Sequence, residues 1–178
     1  MLRRVRIPPE TSANLCLARL RRAERGGALD APDLRLGPKI WLHADPSLAP
    51  EGTWRSPRGR LLDLVARPTG PGGWFALHVG FPLPSLAGRG LVGFALRGAA
   101  PRPLLLRAAL RSGQAEGFTD AFFERSVMLR PESATHVDAL FVAERTDIPE
   151  RAGFRELVLF LPLADVTLSL HDLRLFSL

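Results

Sequence analysis

Tyrosine is absent from this 178-residue chain, and lysine and cysteine occur once each, as Lys39 and Cys16. A single cysteine cannot form an internal disulfide and gives no sign of an oxidising compartment. Long apolar runs are missing as well. Those present are broken by Gly, Pro or charge, and none approaches the roughly 20 residues of a membrane-spanning helix. The opening MLRRVRIPPE has the positive start of a signal peptide but no apolar segment behind it, so the expectation is a cytoplasmic chain. Catalytic signatures are equally scarce. There is no G-x-S-x-G, no H-E-x-x-H and no paired-cysteine zinc spacing. GRGLVG at 88–93 lacks the strand-before, helix-after setting of a dinucleotide loop and reads as a turn entering a strand. The expectation is a protein that is not an enzyme.

What is present fits one globular domain. The chain is 46% hydrophobic and 24% charged, which argues against wholesale disorder and allows one sizeable core. The net charge of +6 is unevenly placed. Residues 1–26 hold seven arginines (3, 4, 6, 19, 21, 22 and 25) against Glu10 and Glu24, and the remainder holds 17 basic and 16 acidic residues. The excess therefore belongs to an N-terminal arm. A domain that clamps a duplex carries its charge on the body. The arginine bias itself, alongside abundant Ala, Gly, Pro and Leu, matches a GC-rich coding sequence and is weak evidence for phosphate binding.

Within the arm, Pro8-Pro9 precede a helix that Thr11 or Ser12 can cap. Ala13, Cys16, Leu17, Leu20 and Ala23 lie on one face of it. Gly26-Gly27 can end it in a left-handed turn, and the arginines near that end complement its dipole. Glu24 is placed to pair with Arg21. So short a helix needs a surface to dock on.

Beyond a Pro-, Gly- and Asp-rich stretch at 28–60, the period changes to that of strands. KIWLH (39–43), LLDLVA (61–66), GWFALHVGF (73–81), LVGFALR (91–97), PLLLRAALR (103–111), FFERSVMLR (122–130), HVDALFV (136–142), ELVLFLPL (156–163) and VTLSLHDLRLF (166–176) make about nine, with no helix between them. The expected fold class is mostly β: an antiparallel jelly-roll β-sandwich with a short N-terminal amphipathic helix, divided as a 1–27 arm and a 28–178 sandwich domain. In 73–81, 91–97 and 103–111 alternate residues are strongly apolar, and the opposite face carries small residues with Trp74, His78, Arg97, Arg107 and Arg111. In the last strand Val166, Leu168 and Leu170 alternate inward, then Leu173 and Leu175 take the other parity. That predicts a β-bulge at His171-Asp172 or a bend between sheets.

The strand rhythm from about 60 to 178, from GWFALHVGFP through FTDAFFERSVMLRP to the closing VTLSLHDLRLF, resembles the galactose-binding-like and carbohydrate-binding-module jelly rolls. It carries no specific motif. The resemblance implies a glycan or glycoconjugate ligand on a sheet face or edge loop. It also implies a structural calcium, for which Asp172 is the position carried over. The chain departs from that group in lacking tyrosine, so Trp41, Trp54 and Trp74 remain as the tryptophans that could stack on a sugar.

On adjacent strands Trp74, His78, Arg97 and Arg107 would line a shallow groove with a stacking ring, an imidazole and two guanidinium forks. Loop 44–60 or the arm could instead cover that face. His43-x-Asp45, His136-x-Asp138 and His171-Asp172 could assemble a His/Asp metal site if their strands were neighbours; the plainer account is ordinary strand-end polar residues. Asp120 and Glu124 read as loop or edge acids. The leading expectation is a non-enzymatic carbohydrate-binding module, which in a cytoplasmic chain would point to polysaccharide assembly. The alternative is a structural or protein-interaction domain whose same face takes a protein partner or a second copy as a homodimer. Nucleic-acid or anionic-membrane association through the arm is the minority reading.

Overall fold

A computed structural model describes residues 8–178. Arg3, Arg4 and Arg6 of the basic arm lie outside the described residues. The chain runs α1 (Glu10–Leu20), β1 (Arg25–Ala28), β2 (Asp33–Gly37), β3 (Ile40–Ala44), a 3-10 turn (Pro46–Leu48), β4 (Glu51–Ser56), β5 (Leu62–Arg67) and β6 (Phe75–Phe81). It continues β7 (Leu91–Ala99), β8 (Leu104–Gln114), β9 (Gly117–Phe122), β10 (Val127–Leu129), β11 (Ala134–Phe141), a second 3-10 turn (Val142–Glu144), β12 (Arg155–Phe160) and β13 (Val166–Ser177).

These strands form two antiparallel sheets, a β-sandwich. The first has the order β1-β4-β5-β13-β7-β11 and the second β10-β8-β12-β6-β3-β2, with β9 also pairing with β8. Strict alternation explains why. In β5 the residues Leu62, Leu64 and Ala66 are buried, and in β7 Val92, Phe94 and Leu96. They meet Leu106, Ala108 and Leu110 of β8 and Leu157 and Leu159 of β12 in one continuous core. Each such leucine, valine or phenylalanine contributes roughly 1.5–3 kcal/mol by leaving water.

All nine sequence-derived strands are present in whole or part. The segment 122–130 is not one strand but two: β9 pairs with the C-terminal half of β8 and β10 with its start. The structure adds β1, β2 and β4. The bulge is there, with the β13 register slipping between Leu170 and Asp172.

The slip decides where α1 goes. β5 pairs with β13 only through Val166–Leu170, so beyond the bulge β13 has an open edge. Helix α1 packs against β13, β6 and β2, and the Asn14 carboxamide occupies that edge. Its Nδ2 donates to the Leu175 carbonyl and its Oδ1 accepts the Leu175 N–H, both at 2.9 Å. Ala13, Cys16, Leu17 and Leu20 enter the core.

Three details of the helix differ from expectation. It starts at Glu10 with Pro9 at the N-cap and no side-chain cap from Thr11 or Ser12. It stops at Leu20, leaving Ala23 exposed, and the left-handed residue is Glu24 (φ 50°). Gly26-Gly27 belong to β1, which crosses the anticipated boundary at 27/28; a Cβ on Gly26 would lie 2.6 Å from the Trp54 carbonyl oxygen. Glu24 does not pair with Arg21, whose guanidinium reaches Asp172 at 3.3 Å instead. Among the described residues no helix is long and apolar enough to cross a membrane.

Candidate functional site

The outer face of the second sheet carries the concentration of rings. Cross-strand register puts Trp41 of β3, His78 of β6, Val158 of β12, Ala109 of β8 and Phe122 of β9 in one row. His43, Ala76, Phe160 and Arg107 form the next. The His43 ring lies 4.7 Å from His78, 6.4 Å from Trp41 and 6.5 Å from Trp74. At the far end Phe122 and Phe160 are 5.6 Å apart, and the Arg107 guanidinium sits 4.1 Å over Phe122. Arg111 stacks 3.7 Å over Phe118 and holds Asp120 through two 2.7 Å hydrogen bonds. β3 and β9 are separated by β6, β12 and β8, about 19 Å at roughly 4.8 Å per strand. Between the two ring clusters the small residues Ala76, Val158 and Ala109 are fully buried.

The sequence-derived quartet does not survive intact. Trp74 and Arg107 are on this face, and Trp74 is 40% exposed. His78 is on it but only 2% exposed. Its Nδ1 meets Glu156 Oε2 at 2.8 Å, and an ionised carboxylate can only accept, so the proton sits on Nδ1. His78 is a support beneath the surface rather than a ligand contact. Arg97 is on the other sheet. β7 pairs with β13 and β11, and the neighbour of β6 is β12. Successive strands cross between sheets here, so strands adjacent in sequence are not adjacent in space.

The structure also shows how Trp74 is presented. The Asp45 N–H donates to the Trp74 carbonyl at 2.9 Å. The Asp45 carboxylate accepts the Gly73 N–H at 2.9 Å and both the N–H and hydroxyl of Ser47. Those bonds, the Gly73 N–H foremost, hold its carboxyl below the ordinary aspartate range. Gly72 fits against Leu48 so closely that a Cβ would lie 2.3 Å from the Leu48 nitrogen. Asp45 therefore fastens the turn that carries Trp74. Sequence reading missed this role, although Asp45-x-Ser47 is a recognisable local turn pattern.

The metal expectations fail on placement. His43 is in the second sheet, while His136 and His171 are in the first. His43 Nε2 lies 2.9 Å from Asp33 Oδ1 but makes no hydrogen bond. His171 shares the Ser133 hydroxyl with Arg97, at 3.1 and 3.2 Å. The Asp172 carboxylate, carried over as a calcium ligand, lies between Arg21 at 3.3 Å and Arg174 at 3.4 Å and accepts the Leu173 N–H. Two guanidinium groups supply the positive charge that a cation would bring. Among the described residues no group of three His, Cys, Asp or Glu side chains could hold a metal. Asp120, read from the sequence with Glu124 as a loop or edge acid, lies on β9 and is bridged to Arg111.

No protein-family model and no curated protein sequence matches this chain. Solved structures similar to this chain at low identity include two carbohydrate-binding modules. One is the CBM22-1 xylan-binding domain of Paenibacillus barcinonensis Xyn10C, at 10% identity and TM-score 0.45, covering 85% of each chain. The other is a family 11 carbohydrate-binding module of Clostridium thermocellum in complex with a β-1,3-1,4-mixed-linked tetrasaccharide. It is 9% identical, with TM-score 0.45, and the match covers 85% of this chain and 88% of that one.

Proposed function

We propose that this chain is a non-enzymatic carbohydrate-binding module that takes a glycan across the outer face of the second sheet. The reading rests on one observation. Trp74 stands exposed beside the His43 and Trp41 rings at one end of this face, with Arg107 and the Phe122–Phe160 pair at the other. Rings stack on the apolar faces of sugars, and guanidinium and carboxylate groups bond their hydroxyls. Trp74, Trp41 and Arg107 contact the ligand in this reading. His78, Glu156 and Asp45 hold the surface in shape.

Affinity electrophoresis through gels containing neutral soluble polysaccharides tests it. Trp74→Ala should weaken retention about tenfold, equal to ~1.4 kcal/mol, with an unchanged melting temperature. Retention equal to that of the unsubstituted protein, or no retention on any polysaccharide, would count against the reading. A protein-interaction surface is the second reading. It is favoured by Val137 and Phe141, which stand 50% and 56% exposed on β11, an open edge of the first sheet. A dimer by light scattering, dissolved by Phe141→Glu, would support it.

A further inference from the structure

A concentration of positive charge lies away from that face, where the end of α1 meets the turn between β4 and β5. A groove of about 410 Å³ opens there, lined by Arg25, Arg55, Arg58 and Arg60 with Glu24 as its one acid. Three of these arginines come from WRSPRGR at 54–60, so part of the neutral body joins the charge of the arm. Arg60 is matched by Asp63 at 2.9 Å, and Arg25 donates to the Leu36 carbonyl at 2.7 Å. Among the described residues Arg55, Arg58 and Glu24 make no ion pair, and both arginines are exposed. The walls are tied together. The Gly59 N–H donates to the Arg21 carbonyl at 3.0 Å, Arg21 Nε donates to the Gly59 carbonyl at 2.8 Å, and the Ser56 hydroxyl donates to the Leu20 carbonyl at 2.5 Å. The guanidinium groups are therefore gathered on a braced frame, which lowers the cost of ordering them around a ligand.

We infer that this groove is a second binding site, for the oxyanion groups (sulfate, phosphate or carboxylate) of an acidic polysaccharide. The arginine fork matches those oxyanions in a bidentate manner that lysine cannot. A single-stranded nucleic acid fits less well, because no aromatic ring lines the groove for a base to stack on. A duplex fits less well because, beyond the arm, the chain carries 17 basic and 16 acidic residues and lacks the broad basic face a duplex requires. The site is separate from the sheet face, and each can fail without the other.

Isothermal titration of the full chain with dextran sulfate, polygalacturonate, neutral dextran and a DNA duplex tests the inference. Binding to at least one of the two acidic polysaccharides is expected, and which one separates sulfate from carboxylate recognition. Arg55→Ala/Arg58→Ala should weaken it tenfold or more and flatten its salt dependence, because two fewer guanidinium groups displace counterions from the polyanion. Arg97→Ala, at an exposed arginine on β7 outside both the groove and the ring-lined face, should leave it unchanged. Both arginines are exposed, so circular dichroism should show the double variant folded. Affinity unaffected by the double substitution, or no binding to either polyanion, overturns the inference. Tighter binding of the duplex with the same arginine dependence reassigns the groove to nucleic acid.

Discussion

At the scale of single residues, His136 couples folding to pH. It points inward from β11 beside Phe94, 5.7 Å between ring centres, and its Nε2 is buried without a hydrogen-bond partner. Burial lowers its pKa from the ordinary value. Asp138 opposes that shift and Arg125 adds to it. The unfolded chain takes up a proton near pH 6.5, and the folded chain only at lower pH. Stability is therefore full above about pH 6.5 and falls as the pH drops below it. His171 shifts in the same direction, through burial first and then the charges of Arg97, Arg60 and Arg21. The urea midpoint should be flat above pH 7 and decline between pH 6.5 and 5.5, and His136→Leu should shallow that decline. An identical slope in the variant would show that His136 is not the group responsible. The inward placement also bears on the metal alternative, which the sequence ranked below ordinary strand-end polar residues. His136-x-Asp138 resembles a pair of metal ligands in sequence, yet Asp138 accepts the Arg125 N–H at 3.2 Å and pins the loop ahead of β10. Arg155 was illegible in the sequence. It is 1% exposed and donates to the carbonyls of Leu83, Pro149 and Glu150 and to the Ser112 hydroxyl. Leu83 and Ser112 come from distant parts of the chain, and Pro149 and Glu150, six and five residues back, offer only main-chain carbonyls, so no side-chain spacing announces the set.

At the scale of elements, the helix and the bulge form one device. The slip at His171 turns β13 away from β5, and Asn14 replaces the missing strand with one side chain. Asn14→Ala should cost about 2 kcal/mol, at about 1 kcal/mol for each hydrogen bond removed, measured by urea denaturation. Amide exchange at Leu175 should quicken at the same time. Asn14→Asp keeps the acceptor and loses the donor, so it should fall between. Unchanged exchange at Leu175 in both variants would refute the edge-sealing role. Why some elements were readable and others not follows from what each faces. β5, β7, β8 and β13 alternate because one side of each meets the core, and the bulge was legible as a change in that alternation. β1 reads RGGA and is exposed throughout, and β4 reads EGTWRS. These form by pairing beside strands already in place, and tertiary pairing leaves no period in the sequence.

At the scale of the whole molecule, parity tells which side of a strand faces the core but not which sheet the strand joins. That gap separates the predicted groove from the observed face. Three consecutive strands with matching patterns, β6, β7 and β8, looked like neighbours. β6 and β8 instead flank β12, and β7 lies across the core. Arg97 and Arg107 have similar sequence settings, each outward-pointing and flanked by apolar residues, so the fold supplies a matched pair of variants. Arg107 lies over Phe122 at the end of the ring-lined face, and Arg97 holds Ser133 beside the β13 bulge on the opposite surface. If the glycan lies along the second sheet, Arg107→Ala should weaken polysaccharide retention about tenfold, the loss of one hydrogen bond from a charged donor. Arg97→Ala should migrate as the unsubstituted protein does on neutral polysaccharides. Both substitutions are at exposed side chains, so equal melting temperatures are expected and any difference in retention reports on the ligand. Equal losses from the two variants would mean that the ligand is not confined to one sheet. A loss from Arg97→Ala alone would move the site to the surface around His171, where Arg21, Arg60 and Arg174 also converge.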